Sequence, residues 1–171
     1  MRTILLIAFL ALTPVSLQAQ FGGPRRGPAP SPSSETFTVV PRAGYDLKYQ
    51  EGVVGLLLRI PTRVVPGLAV QAAGDFTFLS GATERQLSLD LVYDLGGIRL
   101  GGGPVWRNTY WGTLNQGRET RSGYSVVLGL GGAPGPRSPI SVELELRFVW
   151  VDDFNPRPLT LGIGFAPGRL F

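Results

Sequence analysis

The chain has 171 residues, a length that suits one domain, with 24 glycines, 15 prolines and a formal net charge of +4. It contains no cysteine and no histidine, which excludes disulfides and thiolate metal sites and removes the commonest general base. No basic residues cluster with interleaved aromatics, so we expect no nucleic-acid partner, and the composition indicates no cofactor.

The first 19 residues have the pattern of a secretory signal peptide. Arg2 precedes an apolar run from Ile4 to Leu12, and small residues follow up to an expected cleavage site after Ala19. The apolar run is too short to cross a bilayer as a helix. We therefore expect export of the chain and removal of residues 1–19.

Residues 20–35 are rich in proline, glycine and serine, which predicts an extended linker. The folded domain is predicted over 36–171, where alternation with a period of two indicates strands and no segment shows helical periodicity. Most of these strands have about the 9–11 residues that a tilted strand needs to cross a bilayer, and eight strands can close a small barrel. The predicted strands are 37–49, 53–60, 67–79, 85–95, 97–108, 123–132, 140–151 and 158–165.

The connections between these segments alternate in character. Odd-numbered connections include 80–84 and the long polar stretch 108–122, whereas even-numbered ones are tight or rich in proline and glycine. This alternation is typical of an up-and-down barrel with loops on one rim and turns on the other. Within 108–122, Tyr110 and Trp111 either form a contact surface for protein, glycan or lipopolysaccharide, or extend an outer aromatic girdle.

Each strand divides into two unlike faces, as in 140–151, where large apolar side chains alternate with polar ones. We expect the apolar face of the eight strands to carry no charged residue. The other face mixes small residues with six acidic and six basic ones. These charged residues are Arg42, Asp46, Lys48, Arg59, Asp75, Asp90, Asp94, Arg99, Arg107, Glu143, Glu145 and Arg147.

Two observations indicate that the charged face lines the interior of a narrow barrel. Buried charges must be paired, which requires both signs in similar number, and glycines leave room for long side chains. On the apolar face, aromatic residues fall near the strand ends, as the two girdles of a membrane barrel do. The predicted girdles comprise Tyr45, Phe76, Phe78, Trp106, Tyr124 and Trp150 near the loops, and Phe37, Tyr93 and Phe165 near the turns.

With these features, residues 36–171 resemble the small OmpA/OmpX-type outer-membrane barrels of Gram-negative bacteria. The resemblance implies an all-β, eight-stranded, antiparallel, up-and-down transmembrane barrel. It implies a monomer in the outer membrane, in contact with membrane lipid and lipopolysaccharide. It also implies insertion by the barrel-assembly machinery, which would recognise the C-terminal strand.

The most specific part of this resemblance is the sequence LTLGIGF (159–165) followed by the terminal Phe171. It resembles the C-terminal β-signal of outer-membrane barrels, in which alternating apolar residues end in an aromatic one. The matching residues are Leu161, Ile163 and Phe165. The sequence APGRLF then breaks the alternation, so either the signal ends at Phe165 with a short tail, or Arg169 lies at the periplasmic interface.

These features favour a non-enzymatic barrel that contacts its surroundings mainly through 108–122. Glu143 and Glu145 have the spacing of an acid/base pair on one face, but Arg147 follows on the same face, which favours a structural ion-pair network. Two alternatives remain open: a narrow OmpW-like channel for small or apolar solutes, and a secreted, lipocalin-like binding protein. No metal ligands are predicted.

Overall fold

A computed structural model of the protein describes residues 37–62, 64–79, 82–111, 119–132, 140–152 and 155–167. The predicted signal peptide, the linker and the terminal Phe171 lie outside these described residues. Within the described ranges, no helix is long and apolar enough to cross a membrane.

The described residues form one antiparallel sheet that closes on itself. Consecutive strands pair with each other, and β1 pairs with β8, which completes the barrel. The prediction of a closed, eight-stranded, up-and-down barrel is therefore confirmed. The strands are β1 (Thr38–Asp46), β2 (Glu51–Pro61), β3 (Leu68–Leu79), β4 (Ala82–Asp94), β5 (Ile98–Trp111), β6 (Glu119–Leu130), β7 (Ile140–Trp150) and β8 (Pro158–Phe165).

The barrel has two ends with different connections. We call the end that holds the β1–β2, β3–β4, β5–β6 and β7–β8 connections the loop end, and the opposite end, where β1 begins and β8 stops, the terminal end. A tight turn at the terminal end joins β4 to β5, where Gly96 and Gly97 have φ angles of 79° and 107° that favour glycine. Asp94 fixes this turn, because its Oδ1 accepts hydrogen bonds from both glycine amides at 2.9 and 3.0 Å.

The predicted long connections of the loop end are shorter in the structure. Only residues 80–81 separate β3 from β4, and the pairing of β5 with β6 extends to Thr109 opposite Glu119. The predicted loop 108–122 is therefore wrong at both of its ends, which belong to β5 and β6, and its central part, 112–118, lies outside the described residues. The ends become strand because the two segments face each other and complete each other's backbone hydrogen bonds.

Most large apolar side chains of the strands point away from the barrel, whereas most charged side chains and several valines point into it. On β4, the outward Leu89 and Leu91 are 44% and 52% exposed, whereas the inward Asp90 and Val92 are 1% and 2% exposed. The expectation of an outer face without charge is wrong at Arg85, which is exposed there. Its guanidinium lies 5.6 Å from the centre of the Phe76 ring, near the loop end, where a long side chain can reach the polar edge of a bilayer.

Substitutions on the outer face can test whether that face is in contact with lipid. Leu89→Arg is expected to lower the free energy of unfolding of the lipid-inserted barrel by about 2–4 kcal/mol, because Leu89 lies midway along the apolar band, whereas Leu95→Arg at the strand end should cost about 0–1 kcal/mol. Leu95 is exposed to a similar degree, 58%, so it is a matched control. Urea titration of the barrel in vesicles measures both values. Equal, small effects would contradict a lipid-facing band.

Candidate functional site

Arg147 lies at the centre of a polar cluster inside the barrel. This β7 side chain is 1% exposed, and its NH1 group donates to Asp90 Oδ2 at 2.7 Å and to Ser88 Oγ at 2.6 Å. Its NH2 group donates to Glu145 Oε1 at 2.9 Å, and the Ser125 hydroxyl donates to the second Asp90 oxygen at 2.8 Å. Because β4 lies three strands from β7, the Arg147 side chain crosses the interior rather than lying along one wall.

A second arginine extends this cluster to β1 and β3. Arg42 donates through Nε and NH2 to the two oxygens of Asp75, at 3.0 and 2.6 Å. Such a two-point contact fixes both the direction and the separation of the groups. The NH1 group of Arg42 donates to Glu145 Oε1 at 2.5 Å, so Glu145 links Arg42 to Arg147.

The cluster continues toward the terminal end through Arg59. Arg59 donates to both oxygens of Glu143 at 3.0 and 2.9 Å, and also to Gln71 Oε1. Gln71 Nε2 donates to Glu145 Oε2 at 2.8 Å, which joins this group to the one around Arg147. Arg99 forms an ion pair of 2.9 Å with the same Glu143.

These contacts form one connected set, which we call the interior network. It contains four arginines and four acids, so its formal charges cancel, and each charged member is buried. Cancellation is required because an unpaired buried charge is far more costly than a paired one. The charged members are Arg42, Arg59, Arg99, Arg147, Asp75, Asp90, Glu143 and Glu145.

Arg107 belongs to a separate buried pair near the loop end, where its Nε contacts a carboxylate oxygen of Glu84. Sequence reasoning missed Glu84 because it assigned residues 80–84 to a connection, whereas β4 begins at Ala82. It also missed the polar partners Ser88 and Ser125, which have no charge to reveal them. On one continuous strand, the side chains of Glu84 and Asp90 point to the same face. This shared face could have identified Glu84 from the sequence.

Three residues predicted for the interior charge network have other roles. Lys48 is exposed in the β1–β2 turn, with its Nζ 5.1 Å from the centre of the Tyr49 ring. Asp94 holds the β4–β5 turn. Asp46 is buried, but its carboxylate accepts hydrogen bonds from the backbone amides of Lys48, Tyr49 and Arg157 at 2.8–2.9 Å. All three residues lie at strand ends or in a turn. There, backbone N–H groups without a strand partner bind the two carboxylates, and the lysine side chain is exposed to solvent.

Glycines provide the space that the interior network occupies. A side chain at Gly55 would collide with Asp75 Oδ1, the atom that binds Arg42. A Cβ atom at Gly129 would lie 3.1 Å from Nε of Arg99, which is closer than ordinary contacts. The arginine and carboxylate side chains therefore lie against bare backbone on the neighbouring strands.

Apolar side chains fill other parts of the interior. One buried cluster joins β1, β2 and β3, and a second joins β5 to the loop end of β7. Inward-facing residues are buried near both ends of the barrel, including Thr38 at the terminal end and Asp46 at the loop end. The clusters are Val40, Leu57 and Ala73, and Val105, Val149 and Val151.

The predicted girdle residues all lie on the outer face, most of them more than a third exposed and Phe165 half-buried. Near the loop end, the ring of Trp150 stacks on Tyr124 at a centroid distance of 5.1 Å and on Phe148 at 6.2 Å. The outward residues are Phe37, Tyr45, Phe76, Phe78, Tyr93, Trp106, Tyr124, Trp150 and Phe165.

The proposed loop contact residues occupy a strand. Tyr110 and Trp111 are the last two residues of β5 and pair with Thr83 and Ala82 of β4, and only their backbone is described. At the C-terminus, β8 stops at Phe165, which matches the first alternative for the end of the apolar alternation, and Arg169 lies outside the described residues.

The acids of the interior are arranged for ion pairing. Glu143 faces Arg59 and Arg99, and Glu145 faces Arg42 and Arg147, so each carboxylate is bound by two arginines. Across the described residues, no three acidic side chains come together as a metal site.

No protein-family model and no curated protein matches the sequence. The fold is similar to the crystal structure of the N-terminal β-barrel domain of Pseudomonas aeruginosa OprF, with a TM-score of 0.62, 14% identity, and coverage of 78% of this chain and 98% of that one. It is also similar to the crystal structure of Ail, the attachment invasion locus protein of Yersinia pestis, with a TM-score of 0.51, 15% identity, and coverage of 77% and 98%.

A backbone structure of the outer membrane protein Ail in a phospholipid bilayer nanodisc gives a TM-score of 0.47 at 14% identity, with coverage of 77% and 99%. The architecture of the chain is that of the small, eight-stranded outer-membrane barrels. The resemblance inferred from the sequence is therefore confirmed for the fold.

Removing the centre of the interior network should be costly. Arg147→Ala leaves Asp90 buried without its arginine and removes one of the two arginines that bind Glu145, and we expect a loss of about 3–5 kcal/mol in the free energy of unfolding. Arg121→Ala is the control, because Arg121 and Asp152 form an exposed pair of 3.2 Å whose loss should cost about 0–1 kcal/mol. Urea titration of the refolded variants measures both, and similar values would show that the interior charges are not buried in solution.

The space beside Asp75 gives a second test. Gly55→Ala should displace the Asp75 carboxylate from Arg42 and destabilise the barrel by about 1–3 kcal/mol, the usual cost of overpacking. Gly74→Ala on the next strand is the matched control, because its Cβ meets nothing within 4 Å. Thermal unfolding in detergent compares the two. The interpretation is wrong if Gly74→Ala is the more harmful change.

Proposed function

We propose that this chain is a non-enzymatic, integral outer-membrane β-barrel with a sealed interior that stabilises the fold, and that its interactions are made at the loop end. The observation that carries the proposal is the interior network. Arg147 reaches from β7 to Asp90 on β4, and Arg59 reaches from β2 to Glu143 on β7, so ion pairs cross the barrel in two directions.

The outer face supports the membrane part of the proposal. Leucine, valine and isoleucine side chains cover the middle of the barrel wall and aromatic rings lie toward its ends, as a bilayer and its two interfaces require. In water, such a face would leave a large apolar surface exposed. A secreted, lipocalin-like binding protein fits this face poorly.

The occupied carboxylates support the non-enzymatic part of the proposal. Glu143 and Glu145, the pair with the spacing of an acid/base site, each bind two arginines, so neither is available to a substrate. Catalysis by these residues would require the network to be broken first, at the cost of stranding buried charges.

At the loop end, strand pairing favours a contact role for the β5–β6 hairpin rather than for a long irregular loop. β5 and β6 remain paired up to Thr109 and Glu119, and the Asn108 amide donates to the Thr120 hydroxyl at 2.8 Å across the two strands. Neighbouring β4 follows β5 up to Trp111. We propose that this hairpin, with Tyr110 and Trp111 near its tip, is the part that meets protein, glycan or lipopolysaccharide.

A narrow channel is the second candidate function. Among the described residues, the buried nitrogens Gln86 Nε2, Arg99 NH1 and Arg147 Nε have no hydrogen-bond partner in the protein. Buried donors of this kind are commonly satisfied by internal water, and a continuous chain of such waters would form a path along the interior. The crossing ion pairs would have to rearrange to open it.

Planar-bilayer recordings separate the two functions. We expect a full chain that shows heat-modifiable gel migration, and is therefore folded, to insert without producing ohmic current steps, because ion pairs and apolar clusters block the interior. The double variant Arg42→Ala/Asp75→Ala removes one two-point pair and leaves a gap beside β1 and β3, and serves as the positive control for a current. Steps in the unaltered protein that interior substitutions abolish would favour the channel instead.

A further inference from the structure

The interior network is neutral as a whole, but its two parts are not. The central part, around Arg42 and Arg147, has three carboxylates for two arginines. Nearer the terminal end, Arg59 and Arg99 share the single carboxylate of Glu143. A neutral glutamine amide joins the two parts. The terminal-end part of the network therefore has one positive charge in excess.

The two arginines of this part bind the same carboxylate oxygen. The NH2 group of Arg59 and the NH2 group of Arg99 each lie 2.9 Å from Glu143 Oε2, so the two guanidinium groups are held close together. Asp94 is opposite Arg99 on the neighbouring strand, but it is half-buried and its Oδ1 binds two backbone amides of the β4–β5 turn. Glu143 is thus the carboxylate with which Arg99 forms an ion pair in the described part of the chain.

One nitrogen of Arg99 is left without a partner. The residue is 3% exposed, and its NH1 group has no hydrogen-bond partner among the described residues. The wall beside the guanidinium is bare backbone, since a Cβ atom at Gly129 would lie 3.1 Å from Arg99 Nε. Because a buried donor on a cation is costly to leave unsatisfied, NH1 needs an acceptor that the described side chains do not supply.

We propose that Arg99 NH1 binds one small inorganic anion of the size of chloride inside the barrel, near its terminal end. A water molecule would satisfy the donor but would leave the excess positive charge, whereas an anion supplies both the acceptor and the missing negative charge. Arg99 is the second residue of β5 and follows the β4–β5 turn closely, so the site lies near one end of the barrel.

The other arginine nitrogen without a partner has different surroundings. Arg147 Nε is also buried and unsatisfied, but Arg147 binds the carboxylates of both Asp90 and Glu145. An anion there would meet two negative charges, so an internal water suits that position. The contrast between the two arginines makes Arg99 the specific site. The proposal goes beyond the proposed function and does not depend on membrane insertion.

The test uses the full, folded chain in uncharged detergent micelles, with gluconate replaced stepwise by chloride at constant ionic strength. Its readout is the temperature at which heat-modifiable gel migration is lost. We expect chloride to raise this temperature until the site is saturated. Arg99→Gln should abolish the rise, and Glu143→Gln, which removes the competing negative charge, should shift half-saturation to a lower chloride concentration. Arg121→Gln is the control, because its exposed pair lies at the loop end, and it should keep the rise.

Crystals of the unaltered chain grown in bromide provide a measurement that needs no variant. We expect an anomalous scattering peak within hydrogen-bond distance of Arg99 NH1. The proposal is wrong if chloride gives no saturable rise, if Arg99→Gln keeps the rise, or if saturating bromide leaves water at NH1. Refolding into phosphatidylcholine vesicles is measured separately, so that failure of the anion site and failure of membrane insertion are distinguished.

Discussion

The structure depends on the requirement that charges buried inside a narrow barrel be neutralised. The centre of the interior network is Glu145, which binds both Arg42 and Arg147. Each of these arginines also binds an aspartate on another strand. The connected charges of the network are equal in number, so no member is stranded. Because the partners lie on different strands, the same contacts also fix how the strands close around one another.

This requirement explains features that look unrelated along the chain. The Gly55 position is bare because Asp75 needs that space, and the Gly129 position is bare because Arg99 lies across it. The outer wall can then be almost wholly apolar, because most charged side chains are paired inside and the strands form a closed sheet that leaves no unpaired edge. The usual arrangement of a globular protein is largely reversed: ion pairs hold much of the interior, while the outer face of the barrel wall is mostly apolar.

In the proposed function, the interior is sealed and the protein makes its interactions at the loop end of the barrel. At the loop end, β5 and β6 extend the β5–β6 hairpin as paired strands up to Thr109 and Glu119, where the sequence had predicted an irregular loop. At the same end, the exposed guanidinium of Arg85 lies over the Phe76 ring and that of Arg157 over the Phe148 ring. The buried carboxylate of Asp46 accepts a hydrogen bond from the backbone amide of Arg157 and so holds the start of β8 against the end of β1.

The sequence by itself determined the number of strands, their approximate bounds and the two faces of each strand, because side chains alternate whatever the strand pairs with. It did not determine which charges meet. Arg59 and Glu143 are 84 positions apart, and only register and closure bring them together. Glu84 was missed because pairing with β5 decided where β4 begins, and Lys48, Asp46 and Asp94 were misplaced because the strand ends offer backbone amides and solvent. Local alternation is a property of the chain, whereas partners across a barrel are set by tertiary structure.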